Sequence, residues 1–253
     1  MTTNRWNALL SHGITMLIYA VILGFWELCS RLFKIPSWIL PAPSEIISSA
    51  AAWGPELLYS SWVTLNETVV GFLLGLVLSL PFAVIIAFTT TARRILYPIL
   101  LALQSIPKIA LAPLVILWLG IGQWPKIVIV ILVCFFPILV NVIAGFEAVP
   151  RSMLDLMHSL RASEITTFRR LRIPIATPYL FTGCKIAITL AVIGAVIGEF
   201  VAAQEGLGYM ILISTSQAQT PLAFASIVAL TIISVVLFYA IELIEKQLVT
   251  WSP

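Results

Sequence analysis

Charge is what this sequence has least of. Only 10% of its 253 residues are Asp, Glu, Lys or Arg, against about a quarter in a soluble domain, while 60% are hydrophobic at a mean hydropathy of +1.07. A water-soluble globule is excluded, and a membrane protein is the class that fits. Cysteine is scarce too. Cys29, Cys134 and Cys184 each stand alone in an apolar run with no Cys-x-x-Cys spacing, so they read as small packing residues rather than a disulfide framework or a zinc site. The two histidines, His12 and His158, have no ligand cluster and read as surface polar groups. Also missing are Gly-x-x-x-x-Gly-Lys-Ser/Thr, His-Glu-x-x-His and Gly-x-Ser-x-Gly. No phosphate loop, metal site or catalytic set is therefore expected, and an enzyme is unsupported. Any ATP and Mg that drive this chain belong on another polypeptide.

What the chain has is long apolar runs. A crossing of about 30 Å needs about 20 helical residues, and six stretches supply it: about Ile14–Phe33, Val63–Thr89, Ile95–Leu119, Ile127–Phe146, Tyr179–Ala203 and Pro221–Ile244. The expected fold class is all-α, a polytopic membrane protein of about six transmembrane helices forming one domain over 1–253. A short surface helix through Ser11 is expected before the first span, which is too long and lacks the small-x-small site of a signal peptide. Pro36, Pro41 and Pro43 mark an extended stretch before a short helix capped by Ser44. Pro98, Pro107 and Pro113 predict a broken third span. Gln204 to Thr220 is too short and too polar at its end for a crossing and reads as a re-entrant or interfacial helix after the Gly206-Leu207-Gly208 turn. Gly71/Gly75 and Gly194/Gly198 are small-xxx-small faces, suited equally to packing within one chain or between two copies.

One long segment is polar. Residues 150–174 carry Arg151, Arg161, Arg169, Arg170 and Arg172, five of the chain's 14 basic residues. Ser152 is expected to cap a first short helix, with Asp155 placed to favour its free N–H groups. Met153, Leu156, Met157 and Leu160 then fall on one apolar stripe. Ser163 opens a second helix, in which Ile165, Phe168 and Leu171 share a face and which Pro174 ends. The stripe suits a groove in a partner protein, and the charge suits anionic headgroups equally well. Arg5, Arg93, Arg94, the five arginines and Lys246 lie on one face of the expected topology. Arg31, Lys34 and Lys126 lie on the other, so the first face, with both termini, is assigned to the cytoplasm.

Lys108 and Lys185 fall at membrane depth, where an ionisable group commonly faces a bundle interior or a water-filled path. Lys185 and Glu199 are 14 positions apart, about four turns, and so share a helix side. Gln104, Ser105, Lys108, Lys185 and Glu199 are the candidates for a translocation path. The competing reading has the lysines snorkelling and the glutamate capping a neighbouring helix.

The order of residues in the polar segment resembles the Glu-Ala-Ala loop of permease subunits in ABC importers. Asp155, Leu156 and Met157 stand at its opening, Arg161 at its glycine, and Leu171, Arg172, Ile173 and Pro174 at its ending. Leu160-Arg161-Ala162-Ser163 is similar to the Leu-Gly-Ala-Ser of the sulfonate, taurine and nitrate branch. So are LQSIPKIALAPLVILWLGIG at 103–122, FFPILVNVIAGFEAVP at 135–150 and IGEFVAAQEGLGYMI at 197–211. The resemblance implies a type I importer fold in the bacterial inner membrane. Two copies of the chain, two cytoplasmic ABC ATPase subunits and an external substrate-binding protein would make up the transporter. It also implies that residues 150–174 couple to the ATPase through Ser152, Met153, Asp155, Leu156, Met157, Leu160, Arg161, Ala162, Ser163 and Pro174. Arg161 replaces a bend glycine, so its turn is expected to use a conformation that an ordinary residue tolerates. The alternative function is a stand-alone ion-coupled transporter, for which the expected internal repeat is missing.

Overall fold

The computed structural model describes residues 2–202 and 204–251; the side chains of residues 2–13, 101 and 202 lie outside that description. Arg5 and Trp6, read from the sequence as interfacial, fall among those side chains. All regular structure among the described residues is helical. The helices are α1 (Thr2–Leu32), α2 (Pro43–Ala52), α3 (Gly54–Phe88), α4 (Thr90–Gln104), α5 (Lys108–Leu119), α6 (Gln123–Glu147), α7 (Arg151–Ser159), α8 (Glu164–Thr167), α9 (Ile173–Ala202), α10 (Leu207–Ser216) and α11 (Thr220–Leu248). Among the described residues, five segments are long and apolar enough to cross a bilayer, and α4 with α5 makes a sixth that is bent by more than 40°. The break falls just before Pro107, which has no N–H with which to continue α4.

Two departures from the expected elements have local causes. No separate surface helix precedes the first span, because the chain is helical without interruption from Thr2. The start of α2 is not capped by Ser44. Pro43 occupies the first helical position, where its missing N–H costs nothing, and Glu45 Oε2 reaches back to accept from the Ala42 N–H at 3.1 Å. Ser44 instead donates to Glu27 Oε1 at 2.8 Å.

The chain divides into two compact units. In the first, Met1–Leu58 with Met210–Val228, Glu27 gathers Arg31 Nε at 2.5 Å and both donors of Ser44, and the Thr220 hydroxyl donates to Trp38 O at 2.9 Å. Trp26 packs on Phe224 with ring centroids 6.1 Å apart.

The second unit, Tyr59–Tyr209 with Ala229–Pro253, is built around α6. Helix α6 buries Val130, Cys134, Ile138, Leu139 and Val142 in the main core. Its neighbours approach it closely because they present glycine. A Cβ on Gly71 of α3 would stand 2.5 Å from the Val130 Cβ, and one on Gly75 would stand 3.2 Å from the Cys134 Cβ. From α9, Gly194 faces the Val130 Cα at 3.2 Å and Gly198 the Lys126 Cα at 3.1 Å on the same measure. Both small-xxx-small faces are thus consumed inside one chain, on α6, which decides between the two uses that the sequence left open.

Replacing Gly71 by alanine forces α3 off α6 and is expected to cost about 1–3 kcal/mol. Gly24→Ala, at a site with no heavy atom within 4 Å, serves as the neutral control. Thermal unfolding in detergent separates the two, and equal midpoints would refute the close-contact account.

Candidate functional site

The polar segment folds as an elbow. Pro150, not Ser152, is the N-cap of α7, its extended backbone (ψ 136°) being what a proline and a cap position both favour. That shift puts Ser152 inside the helix and Asp155 beyond its first turn, so the expected cap and dipole contact are not made. The apolar stripe does form. Met153, Leu156 and Leu160 are 45%, 57% and 68% exposed, while Met157 is half-buried.

Helix α7 then closes in a Schellman motif. The Arg161 N–H donates to His158 O at 2.9 Å and the Ala162 N–H to Met157 O at 3.0 Å. This closure requires a left-handed residue, and Arg161 adopts φ 52°. The expectation that an ordinary conformation would serve here is therefore overturned. The arginine keeps the glycine's conformation and bears its cost, about 1–2 kcal/mol.

Beyond the bend, Ser163 caps α8 as expected, its Oγ accepting from the Thr166 N–H at 3.2 Å. The expected common face of Ile165, Phe168 and Leu171 does not form as a unit, since Ile165 is 71% exposed and Phe168 is packed inward. Nor does Pro174 end the helix. Residues Phe168–Arg172 widen into a π-helical turn, with the Ile173 N–H reaching back to Phe168 O, and the chain runs on into α9. A wider turn spares Pro174 the clash with the carbonyl four positions back that a regular helix would impose.

The elbow sits on aromatic rings. Phe168 lies 5.5 Å from Phe88 at the end of α3 and 5.8 Å from Phe146 near the end of α6, and those two rings are 5.4 Å apart. The Arg172 guanidinium stands 4.6 Å from the Phe88 ring centre, a cation–π contact. Arg93, at the start of α4, pairs with Glu147 at 2.9 Å. An apolar cavity of about 280 Å³ opens beside the trio, lined in part by Val84, Phe146, Phe168 and Ala176. The elbow is thus stiffly joined to two membrane helices and shows its apolar stripe outward.

A second polar set lies inside the bundle. Glu199 on α9 is 1% exposed. Its Oε1 accepts from the Thr64 hydroxyl at 2.6 Å and its Oε2 from the Gly208 N–H at 2.6 Å, while the Thr64 Oγ1 accepts from the Leu207 N–H at 2.9 Å. A carboxylate and a hydroxyl thus bind the first two N–H groups of α10, which hydrocarbon would leave without partners. Gly206 at φ 111° lets the chain turn tightly against the carboxylate. One helical layer away, Glu67 of α3 and Lys126 of α6 form an ion pair with side chains 0% and 4% exposed. Lys126, assigned from sequence to an aqueous face, is therefore a buried structural cation. Glu67, Thr64 and Thr68 went unremarked in the sequence, although a lone acid in the second span was the available signal. Glu67 Oε2 has no hydrogen-bond partner among the described residues.

The five residues expected at a path divide into three places. Lys185 bonds Glu245 of α11 at 2.7 Å, so it and Glu199 serve different partners despite sharing a helix. Lys108 donates to Gln104 O at 2.8 Å and stands 5.5 Å from the Phe136 ring centre. Gln104 and Ser105 are exposed at the break between α4 and α5.

Comparison with known proteins adds a family. Residues 71–250 match the family described as binding-protein-dependent transport system inner membrane component. The formylaminopyrimidine transport permease protein ThiX of Halalkalibacterium halodurans is 34% identical over 236 residues, 93% of this chain and 94% of that one. The taurine transport system permease protein TauC of Escherichia coli is 27% identical over 256 residues, covering 98% and 93%. A solved inward-facing structure of the MetNI methionine ABC transporter has the same fold, with a TM-score of 0.69 at 22% identity over 78% of this chain and 97% of that one.

Two outcomes are expected from substitution. Lys126→Met alone strands a buried carboxylate and should cost about 3–5 kcal/mol, most of which Lys126→Met with Glu67→Leu should recover. A double variant no more stable than the single would refute the pairing. Arg161→Gly should stabilise the chain by about 1 kcal/mol by removing the left-handed penalty, read as a raised thermal midpoint.

Proposed function

Because the chain belongs to the family of binding-protein-dependent transport system inner membrane components and is the permease subunit of an ABC importer, we propose that residues 150–174 are its coupling element, docked in a groove of a separate ABC ATPase. Family membership also displaces the stand-alone ion-coupled alternative, since the family's own description makes transport depend on a binding protein. The observation that carries the coupling role is the exposed stripe of Met153, Leu156 and Leu160 on one arm of an elbow whose other arm is fixed to α3 and α6 through Phe168. An apolar stripe free in solvent stabilises nothing in this chain, and a protein groove is what would bury it.

The mechanism is alternating access. ATP and Mg bind on the partner, ATP binding draws two ATPase subunits together, and the elbow of each of two permease copies follows. Because Phe168 meets Phe88 and Phe146 directly, displacement of the elbow tilts α3 and α6 rather than bending a loop. Hydrolysis restores the other arrangement, so ATP acts by favouring one of two packed states. Both termini and the elbow lie on the cytoplasmic side of the inner membrane, supported by the arginines gathered there. The second copy meets this one away from Gly71, Gly75, Gly194 and Gly198, which are already occupied. Gln104, Ser105 and Lys108, at the break between α4 and α5, are the polar groups offered to the passing solute. Lys185 and Glu199 hold helices together.

The cargo is a small polar organic solute brought by an external binding protein. The formylaminopyrimidine permease is the nearer relative and the taurine permease the more distant, so a small heterocycle stands ahead of a sulfonate or nitrate. The ligand retained by the cognate binding protein decides between them by mass spectrometry.

Met157→Asp with Leu160→Asp, or Asp155→Arg, should leave insertion and the fold intact. Uptake into vesicles should fall at least about tenfold, the effect of losing about 1.4 kcal/mol of docking. Wild-type uptake in these variants would count against the coupling role.

A further inference from the structure

The C-terminal tail meets the elbow at one backbone atom. Within α9 the carbonyl of Pro174 is due a hydrogen bond from the residue four positions on. That residue is Pro178, which has no N–H. The orphaned oxygen accepts instead from the indole Nε1–H of Trp251 at 3.1 Å, 77 positions away in sequence. An indole nitrogen can only donate, so the contact is directional.

Two further links hold the tail where it can do this. The Val249 N–H donates to Glu245 O at 2.7 Å and Val249 is 8% exposed, which carries the last turn of α11 into the tail. Glu245 pairs with Lys185 of α9, about three turns beyond Pro174. Trp251 is 55% exposed, so its hydrogen bond is a larger part of its role than its burial. The start of α9 needs such a brace. A π-turn followed by two prolines leaves it short of two backbone N–H donors, directly where the elbow joins the membrane helix.

We propose that Trp251 is a positioning residue of the transport cycle, its indole N–H supplying the donor that Pro178 withholds. The strap ties the first turn of α9 to the end of α11, fixes the angle at which the elbow is presented, and makes α11 travel with it. The last two effects rest on the elbow being the part that the ATPase grips; the strap itself does not.

The test uses the complete transporter in nanodiscs, with this chain as wild type, Trp251→Phe, Pro178→Ala and the double variant. Trp251→Phe keeps a ring and removes the donor, and Pro178→Ala gives the Pro174 carbonyl an intrahelical partner. Hydrogen exchange across residues 168–177 is expected to speed up about fivefold in Trp251→Phe, as loss of one hydrogen bond implies. In the Pro178→Ala background the same change should add nothing. Basal ATP turnover, measured with ATP alone, should rise in Trp251→Phe and return to the Pro178→Ala value in the double variant. Unchanged exchange in Trp251→Phe, or equal acceleration in both backgrounds, overturns the strap. Accelerated exchange with unaltered turnover overturns the positioning role, and leaves docking of the elbow to be decided by the Met157 and Leu160 variants.

Discussion

Close backbone approach to α6 is the constraint on which the rest depends. Lipid tails are as apolar as leucine, so apolar area alone gives membrane helices little reason to choose one another. Dispersion at short range supplies the preference, and it is strongest where no side chain intervenes. Gly71 and Gly75 of α3 and Gly194 and Gly198 of α9 bring both helices onto α6, where Gly71 and Gly194 meet at Val130. Once those three are seated, Glu67 can meet Lys126 and Glu199 can meet Thr64, because each pair bridges two of the packed helices. The apolar contacts set the geometry, and the polar contacts then make alternative registers costly by leaving charges without partners.

A second theme is the treatment of helix breaks. Hydrocarbon offers no hydrogen bonds, so each interruption has to be met from within the protein. The start of α10 is met by Glu199 and Thr64, and the carbonyl facing Pro178 by Trp251. The interruption between α4 and α5 differs, in that Gln104 and Ser105 are exposed there.

The spans were legible because length and hydropathy are local properties of the chain. So was the Ser163 cap, which needs only a hydroxyl three residues before an N–H. The polar segment was legible as an amphipathic, partner-seeking element, and its residue order carried the family. What the sequence concealed was set by contacts between distant positions. Lys126, beside a Gly-Gln-Trp-Pro turn, read as aqueous because its acid lies on another helix. Pro174 read as a stop because the π-turn that accommodates it has no periodicity of its own. Arg161 read as compatible with a relaxed turn because nothing in residue type announces a left-handed backbone. The joint role of Lys185 and Glu199 dissolved for the same reason: helical phase gives the direction of a side chain, not its partner.

The buried pair of Glu67 and Lys126 also bears on how the chain is made. Ribosomal synthesis delivers α3 well before α6, so the acid reaches the bilayer ahead of the lysine that pairs with it. The earlier segment is therefore poorly settled on its own, and its integration is completed by the later one. Assembly of this subunit is in that sense retroactive, with a helix near the middle of the chain licensing one already released.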